Sequence, residues 1–471
     1  MRTTTRIFLT SLLVLCHFQW GYSQFPQRGF GVSLYLERDK QPDGGIFLPA
    51  PPDTCDVEYY DDFVQWQWGK TVRYTERGER ASIESQSSTA VMARIFSEAL
   101  DFKISRTETP AIYNLISRSY HTAEQTSKNP KEKYMRIRPV IRFNEIPTGQ
   151  ADDLESLRTS GSYPSGHTTR GMATALVLAE MVPEYQDTIL RRGFEYGESR
   201  VIVSAHYQSD VNAGYMCASA VVAAMHSVPD FRSDMEAARA EYYEKSGRKP
   251  ATADVLPDGR RILSEPVDTA SFRYYGDVAQ YMEAKGKRAT GRGEQAKADA
   301  DCSLDALLKV FSGALGIKID AESAPKLTAL ITETRNAMQA NAAALAASAK
   351  FRKRPYVQLG EDPFAGVYDS KTSSYPSVES EICWGVGLVL TELAPGRAND
   401  LLTAGFRMGE SGIITGQHWA TDIIAARIMA AATVAHLNSV YSFSKLLDEA
   451  RAEYSSLTDR YLNKDNKREA G

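Results

Sequence analysis

The chain carries almost no charge excess. Across its 471 residues 55 Lys and Arg face 59 Asp and Glu, a formal net charge of −4, so nothing marks nucleic acid or an anionic lipid surface as an obligatory partner. It is also poor in cysteine, with five, and no Cys-x-x-Cys or comparable metal-ligand spacing occurs. Beyond the first residues no apolar stretch reaches the roughly 20 residues of a membrane helix. The longest, Met172 to Val182, Ala213 to Val228 and Ile423 to Leu437, are Ala-rich with polar interruptions and read as core helices. Strand-like alternation is scarce while helical periodicity runs throughout, which predicts an all-α protein. With 43% apolar and 24% charged residues the composition is that of an ordinary globular protein.

The one hydrophobic run that stands apart comes first. Met1-Arg2 and Arg6 precede an apolar segment from Ile7 to Trp20, then Gly21 and Ser23. This is the pattern of a secretory signal peptide over residues 1–23, and it predicts a soluble product that is periplasmic or secreted, without stable membrane insertion. Cys55, Cys217, Cys302 and Cys383 would remain. Such a compartment permits disulfides, yet Cys217 and Cys383 lie in apolar helical patterns that favour buried free thiols, so pairing stays open.

What the sequence does have is a concentration of cations and histidines around one turn. Gly161-Ser162-Tyr163-Pro164-Ser165-Gly166-His167-Thr168 lies between Lys131…Arg138-Pro139 and Ser199-Arg200…His206…Asp210. Phosphoryl transfer needs positive donors for the equatorial oxygens, a nucleophile in line and an acid for the leaving oxygen. Lys131, Arg138 and Arg200 can supply the charge. The turn opens a buried helix from Thr168 to Val182, whose start aims backbone N–H groups at an anion. Gly166 allows close approach there, and Ser165 adds a hydroxyl. His206 and Asp210, four residues apart, share a face if Val201 to Ala213 is helical, leaving one ring nitrogen free to attack. Arg200 is then placed at the start of that helix. His121, His226 and His436, each alone in a helical pattern, read as structural.

These blocks resemble the three signature blocks of class A non-specific acid phosphatases. That family belongs to a superfamily shared with type 2 phosphatidic acid phosphatases and vanadium haloperoxidases. The likeness includes the run Lys131-Glu132-Lys133-Tyr134-Met135-Arg136-Ile137-Arg138-Pro139 and extends upstream to Leu48-Pro49-Ala50-Pro51-Pro52 and Thr75-Glu76-Arg77-Gly78. The resemblance implies that His206 is a nucleophile forming a phosphohistidine, that Asp210 orients it, and that His167 protonates the leaving alcohol and later activates water. Lys131, Arg138, Arg200, Ser165 and the Gly166 backbone would bind the phosphate oxygens of a small phosphomonoester, with inorganic phosphate as product and inhibitor. That scheme requires no metal and no cofactor.

The length suggests more than one domain, and the chain repeats itself. Tyr59-Tyr60 recurs as Tyr274-Tyr275 and Arg77-Gly78-Glu79 as Arg292-Gly293-Glu294. Ser162-Tyr163-Pro164-Ser165 recurs as Ser374-Tyr375-Pro376-Ser377, and Gly197-Glu198-Ser199 as Gly409-Glu410-Ser411. This predicts a tandem duplication of helical bundles: a Pro/Gly-rich lead over 24–53, a catalytic unit over 54–245, a linker over 246–268, a degenerate unit over 269–457 and a loose polar tail over 458–471. In the second unit Arg354, Ser377, His418 and Asp422 keep their places. Lys131 falls against Ala347, Gly166 against Val378, His167 against Glu379 and Arg200 against Gly412. A carboxylate at 379 repels a phosphate dianion, so this unit is expected to be catalytically silent: either a structural partner, with an internal pseudo-dimer contact in place of a homo-oligomer contact, or, from Glu379 beside His418, a remodelled pocket for another ligand. Three other activities are weighed: a lipid or isoprenyl phosphatase, a vanadate-dependent haloperoxidase, and a phosphate-binding scaffold.

Overall fold

The computed structural model describes residues 31–250, 255–365 and 370–469, with side chains to residue 459. The expected signal segment, 1–23, lies outside the described residues. Among the described residues there is no strand, in keeping with the all-α expectation.

Local chemistry sets the helix ends. In the first stretch α1 is Glu58–Val72, α2 Glu76–Ile83, α3 Thr89–Leu100, α4 Pro110–Thr126, α5 Lys128–Tyr134, α6 Gly166–Met181, α7 Gln186–Ile202, α8 Gln208–Met225 and α9 Pro229–Ser246. In the second, α10 is Phe272–Gly286, α11 Gly291–Asp299, α12 Leu304–Leu315, α13 Pro325–Ser348, α14 Val378–Leu393, α15 Ala398–Thr415, α16 Ala420–Ser439 and α17 Tyr441–Glu469. Ser88, Ser165, Ser303 and Ser377 cap α3, α6, α12 and α14 with their hydroxyls, while Pro110, Pro229 and Pro325 open α4, α9 and α13, where the missing N–H is no loss. Helix order and lengths therefore recur: α1 and α10 both have 15 residues, α3 and α12 both 12, α6 and α14 both 16.

Each stretch wraps its neighbours around one almost wholly buried helix. In the first, α6 packs on α4, α7 and α8; in the second, α14 packs on α13, α15 and α16. Nearly every residue of α6 from Thr168 onward and of α14 from Ser380 onward is buried. The two stretches also meet, and one core runs through both. α1 lies on α10, α8 on α16, α6 on α16 and α8 on α14. Each of these contacts is either between corresponding helices or has its mirror, the pattern of an isologous interface. There Glu180 Oε2 lies 2.9 Å from His226 Nε2, Asn438 donates to Glu392 at 2.9 Å, and Asn438 meets His226 at 3.3 Å. His436 meets Gln186 at 2.9 Å. His226 and His436 are thus satisfied core groups.

Two expectations need correcting. Helix α16 extends past the apolar run at both ends and reaches 20 residues, so by length and composition it could cross a membrane, yet nearly all of it is buried inside the protein. α8 and α9 together pass the same test only as a pair bent by 97°. At the C-terminus, the presumed loose tail from 458 belongs to α17, which runs to Glu469; its Lys, Arg, Glu and Leu are good helix formers even without an apolar face.

Candidate active site

Three segments converge on the start of α6. Ser165 caps the helix, its hydroxyl accepting from Thr168 N at 3.3 Å and from Thr168 Oγ1 at 2.9 Å. Gly166 is the first helical residue, and a Cβ there would meet Ser127 Oγ at 3.1 Å and Lys131 Cε at 3.7 Å. Glycine thus avoids a tight contact with Ser127, while the Lys131 chain beside it leaves the last turn of α5 and donates to Gly161 O at 2.7 Å and Ser162 O at 3.2 Å. Arg138 is buried and donates to Ala205 O at 2.9 Å and Gly161 O at 3.2 Å. Arg200 is 1% exposed, held by Asp152 at 2.8 Å, and its Nε and Nη1 are buried with no partner among the described residues.

The cations strain one another. Burial, then the charge of Arg138, hold the Lys131 ammonium well below its ordinary pKa. Burial, then Arg200, bring the Arg138 guanidinium down to about 10. Buried cations pushed toward neutrality by each other are relaxed by an anion between them.

His206 stands at the edge of this cluster, but not on a helix. The expected helix from Val201 to Ala213 is broken: α7 ends at Ile202, residues 203–207 form a turn, and α8 starts at Gln208. The break hinges on Ser204, which has φ 64°. Arg200 accordingly sits in the last turn of α7, at a helix end and not a helix start. The turn still delivers the pair. His206 Nδ1 lies 3.5 Å from Asp210 Oδ2, and its Nε2 lies 2.8 Å from Arg138 Nη1. An acceptor on one side and a donor on the other fix the tautomer: Nδ1–H points at the Asp210 carboxylate, and the Nε2 lone pair faces Arg138. Burial, then Arg138, keep the His206 pKa well below the usual histidine range, so the ring is neutral.

Asp210 is anchored from four directions. It accepts from Tyr207 N at 2.8 Å, Ser162 Oγ at 2.5 Å and Arg136 Nη1 at 2.6 Å, besides His206. Burial raises its pKa, but Arg136 and the hydrogen bonds from His206 and Ser162 outweigh that, and it stays well below the usual carboxylate range. His167, in the first turn of α6, has Nε2 3.0 Å from Ser85 O and Nδ1 3.4 Å from Arg170 Nη2. Burial, then Arg200 and Arg170, depress its pKa well below the ordinary value.

The corresponding place in the second stretch has the same frame and another filling. Ser377 caps α14, accepting from Ser380 N at 3.2 Å. Arg354 Nη1 lies 3.4 Å from His418 Nε2. That same Nε2 is 2.7 Å from Glu379 Oε2, and Nδ1 is 2.7 Å from Ser374 O. Burial dominates at Asp422 and raises its pKa in spite of Arg352, the reverse of Asp210. Where Arg200 stands in the first stretch there is Gly412, whose absent Cβ would touch His418 Cδ2 at 3.3 Å.

Residues 114–234, which hold every member of the first cluster, match the model of the PAP2 superfamily. The chain is 40% identical to the non-specific acid phosphatase of Providencia stuartii over 209 residues, 44% of this chain and 84% of that protein. It is 36% identical to the non-specific acid phosphatase of Salmonella typhimurium over 207 residues, 43% and 80% of the respective chains. With the acid phosphatase of Zymomonas mobilis it shares 35% over 215 residues, 45% and 79%. The chain belongs to the non-specific acid phosphatases of the PAP2 superfamily.

Some residues that build this cluster escaped the sequence reading. Arg136 bridges Asp210 and Asp62, donating to the latter at 2.7 Å. Burial first, then the charge of Asp210, push the Asp62 carboxyl up to about 6. Asp152 steers Arg200, and Arg170 approaches His167. A signal for two of them existed. Arg136 and Arg352 each stand two places before an Arg-Pro pair, and Asp62 recurs as Asp277 at the same 215-residue offset as its neighbours. Arg352 indeed bridges Asp422 and Asp277, both at 2.5 Å. A cavity of about 1000 Å³ between α1, α8, the 263–273 segment and α16 is lined by none of Lys131, Arg138, His167, Arg200 or His206.

Proposed function

We propose that residues 54–245 hydrolyse phosphomonoesters through a phosphohistidine, and that residues 269–457 are a non-catalytic second copy that packs against the first as an internal pseudo-dimer. The observation that carries the reading is the neutral, oriented His206, with its Nε2 lone pair turned to Arg138 beside Lys131 and Arg200. Names of relatives at 34–40% identity support the reaction class.

In this scheme Nε2 of His206 attacks phosphorus and the P–O ester bond breaks. His167 gives its proton to the leaving oxygen. Water then attacks the phosphorus, surrendering a proton to His167, and the P–N bond breaks to release inorganic phosphate. Lys131, Arg138, Arg200 and the N–H groups at the start of α6 hold the equatorial oxygens throughout. Asp210 keeps Nδ1 protonated and stabilises the positive charge that the ring gains. The depressed pKa of His206 leaves it nucleophilic in acid. Phosphate charge opposes Arg200 and Arg170 at His167 and so favours the protonated acid when substrate is bound. The two requirements give a bell-shaped rate profile lying on the acid side.

The repeated helix order, the mirrored contacts and the His226, Asn438, Glu180 and Glu392 cluster support duplication. Glu379 supports silence of the second copy: its carboxylate already occupies the nitrogen that would attack. A cleaved leader and a periplasmic or secreted location fit the first 23 residues, and detection of a chain starting near Gln24 in the medium or periplasm would test that.

The deciding experiment measures aryl phosphate hydrolysis at mildly acid pH with a chelator present, for the full chain and for His206→Ala and His418→Ala. Loss with His206→Ala alone is expected. Loss with His418→Ala would assign chemistry to the second copy, and activity surviving His206→Ala would overturn the phosphohistidine.

A further inference from the structure

The second stretch contains a pair of thiols that the first does not. Cys302 immediately precedes the Ser303 cap of α12, and Cys383 lies in the second turn of α14. Their sulfurs are 3.6 Å apart although 81 residues separate them in sequence. Cys383 is fully buried and Cys302 partly so. The corresponding positions of the first stretch are Ser87, whose hydroxyl meets Tyr120 at 2.5 Å, and Gly171, where any Cβ would strike the Tyr196 ring at 2.3 Å. The pair therefore belongs to the second stretch alone.

We propose that Cys302 and Cys383 form a disulfide that fastens the segment before α12 to α14. The sulfurs are in van der Waals contact, and a bond of about 2.05 Å needs them to close by roughly 1.5 Å, within reach of small side-chain rotations. Both flanks are held: Arg335 Nε donates to Cys302 O at 2.9 Å, and Cys383 sits inside a buried helix. This revises the expectation of a free thiol at Cys383. The same helix carries Ser377 and Glu379 at its start, so the link stiffens the wall of the degenerate site.

The reaction is thiol–disulfide exchange, with a small disulfide such as oxidised glutathione as the oxidant. A thiolate of the pair attacks it, one glutathione leaves, and the second cysteine then displaces the other. Two protein thiols become one disulfide and one glutathione disulfide becomes two thiols. The neighbouring Cys383 sulfur, burial and the Glu379 charge all push the Cys302 thiol well above its ordinary pKa. Closure is therefore fastest before the chain is fully packed.

The test uses the full chain refolded in a mixture of oxidised and reduced glutathione, then alkylated and digested with trypsin. The expected product joins peptide 298–309 to peptide 372–397 and disappears on reduction. A closed loop of this length also predicts that reductant lowers the thermal midpoint by a few degrees in the wild type. It should do so in Cys55→Ser but not in Cys302→Ser, with aryl phosphate hydrolysis unchanged in both. Recovery of Cys302 and Cys383 as alkylated thiols, or of either joined to Cys55 or Cys217, would overturn the link. If Cys302→Ser does not fold, the wild-type peptide map decides alone.

Discussion

The start of α6 and the start of α14 are built on one plan and carry opposite electrostatics. Both have a capping serine, an Arg-Pro arginine, and a histidine and aspartate four apart, the aspartate bridged to a second carboxylate by a buried arginine. In the first site three cations lie beside His206 and raise each other's free energy. In the second, Glu379 supplies the negative charge internally and takes the nitrogen. A scaffold that orients an imidazole is thus separable from the charge placed around it, and the bridging arginines belong to the scaffold.

The largest effect should come from converting the first site into the second. The double change Gly166→Val with His167→Glu places a carboxylate among the cations, crowds Lys131 and removes the acid. Aryl phosphate turnover should fall about a thousandfold or more, with helical circular dichroism retained. Loss of only a few-fold would mean that neither residue matters as assigned.

Asp210→Asn against Asp422→Asn sharpens the same contrast. The first keeps the shape but releases the hold on Nδ1–H, and kcat should drop about 10²–10⁴-fold; the second should leave the rate unchanged. Stability is a different axis. Arg136→Met and Arg352→Met each strand two buried carboxylates, so both should cost about 3–5 kcal/mol in denaturant unfolding. Equal stability losses with unequal kinetic ones would place the two arginines in the frame, whereas a destabilisation confined to Arg136→Met would break the analogy.

The depressed histidines give a pH prediction. His167 and His206 bind protons more weakly folded than unfolded, so the unfolded chain takes up more protons as pH falls. Their contribution is fully present above the ordinary histidine range near 6.5 and is lost progressively as pH drops through it toward their lowered values. The unfolding midpoint should fall with acid over that window, less so with saturating inorganic phosphate and less so in His206→Ala. A midpoint that rises with acid there would contradict the assigned neutral states.

Much of this was legible in the sequence because phosphate chemistry restricts residue types. Cations, a Ser-Gly-His turn and a histidine–aspartate pair have few other reasons to cluster. All eight residues expected in the first site gather around the start of α6 and its neighbouring turn. Periodicity likewise gave the helical class and the buried helix expected from Thr168, which starts two residues earlier, at Gly166. The break between α7 and α8 was missed because residues 201–213 contain neither Gly nor Pro before Gly214, and the turn is forced by tertiary contacts: Val140 N donates to Ser204 O at 2.9 Å and Trp66 Nε1 to Ser204 Oγ at 3.1 Å. Asp62 was hidden for a related reason. A buried carboxylate in α1 looks like any acidic residue until the arginine 74 positions away folds onto it.

That turn supplies the smallest and most local comparison. Ser204 has φ 64°, and Gly416, the residue at the same point of the second stretch, has φ 81°. A residue with a Cβ pays about 1–2 kcal/mol for this backbone, a strain of the kind retained beside active sites. Ser204→Gly removes it but also removes the hydroxyl that accepts from Trp66 and adds freedom to the unfolded chain, so the two sides nearly offset and stability should change by less than about 1 kcal/mol. Gly416→Ser has no such compensation. It adopts the strained conformation, and its Cβ meets Arg288 Nη2 at 2.8 Å and Tyr281 at 3.3 Å, so a loss of about 1–3 kcal/mol is expected. Kinetics should divide the other way. Ser204→Gly loosens the segment that aims His206 and lowers kcat with little change in KM, while Gly416→Ser unfolds more easily and turns over at the wild-type rate. If Ser204→Gly is both more stable and equally active, the serine has no role in holding the nucleophile.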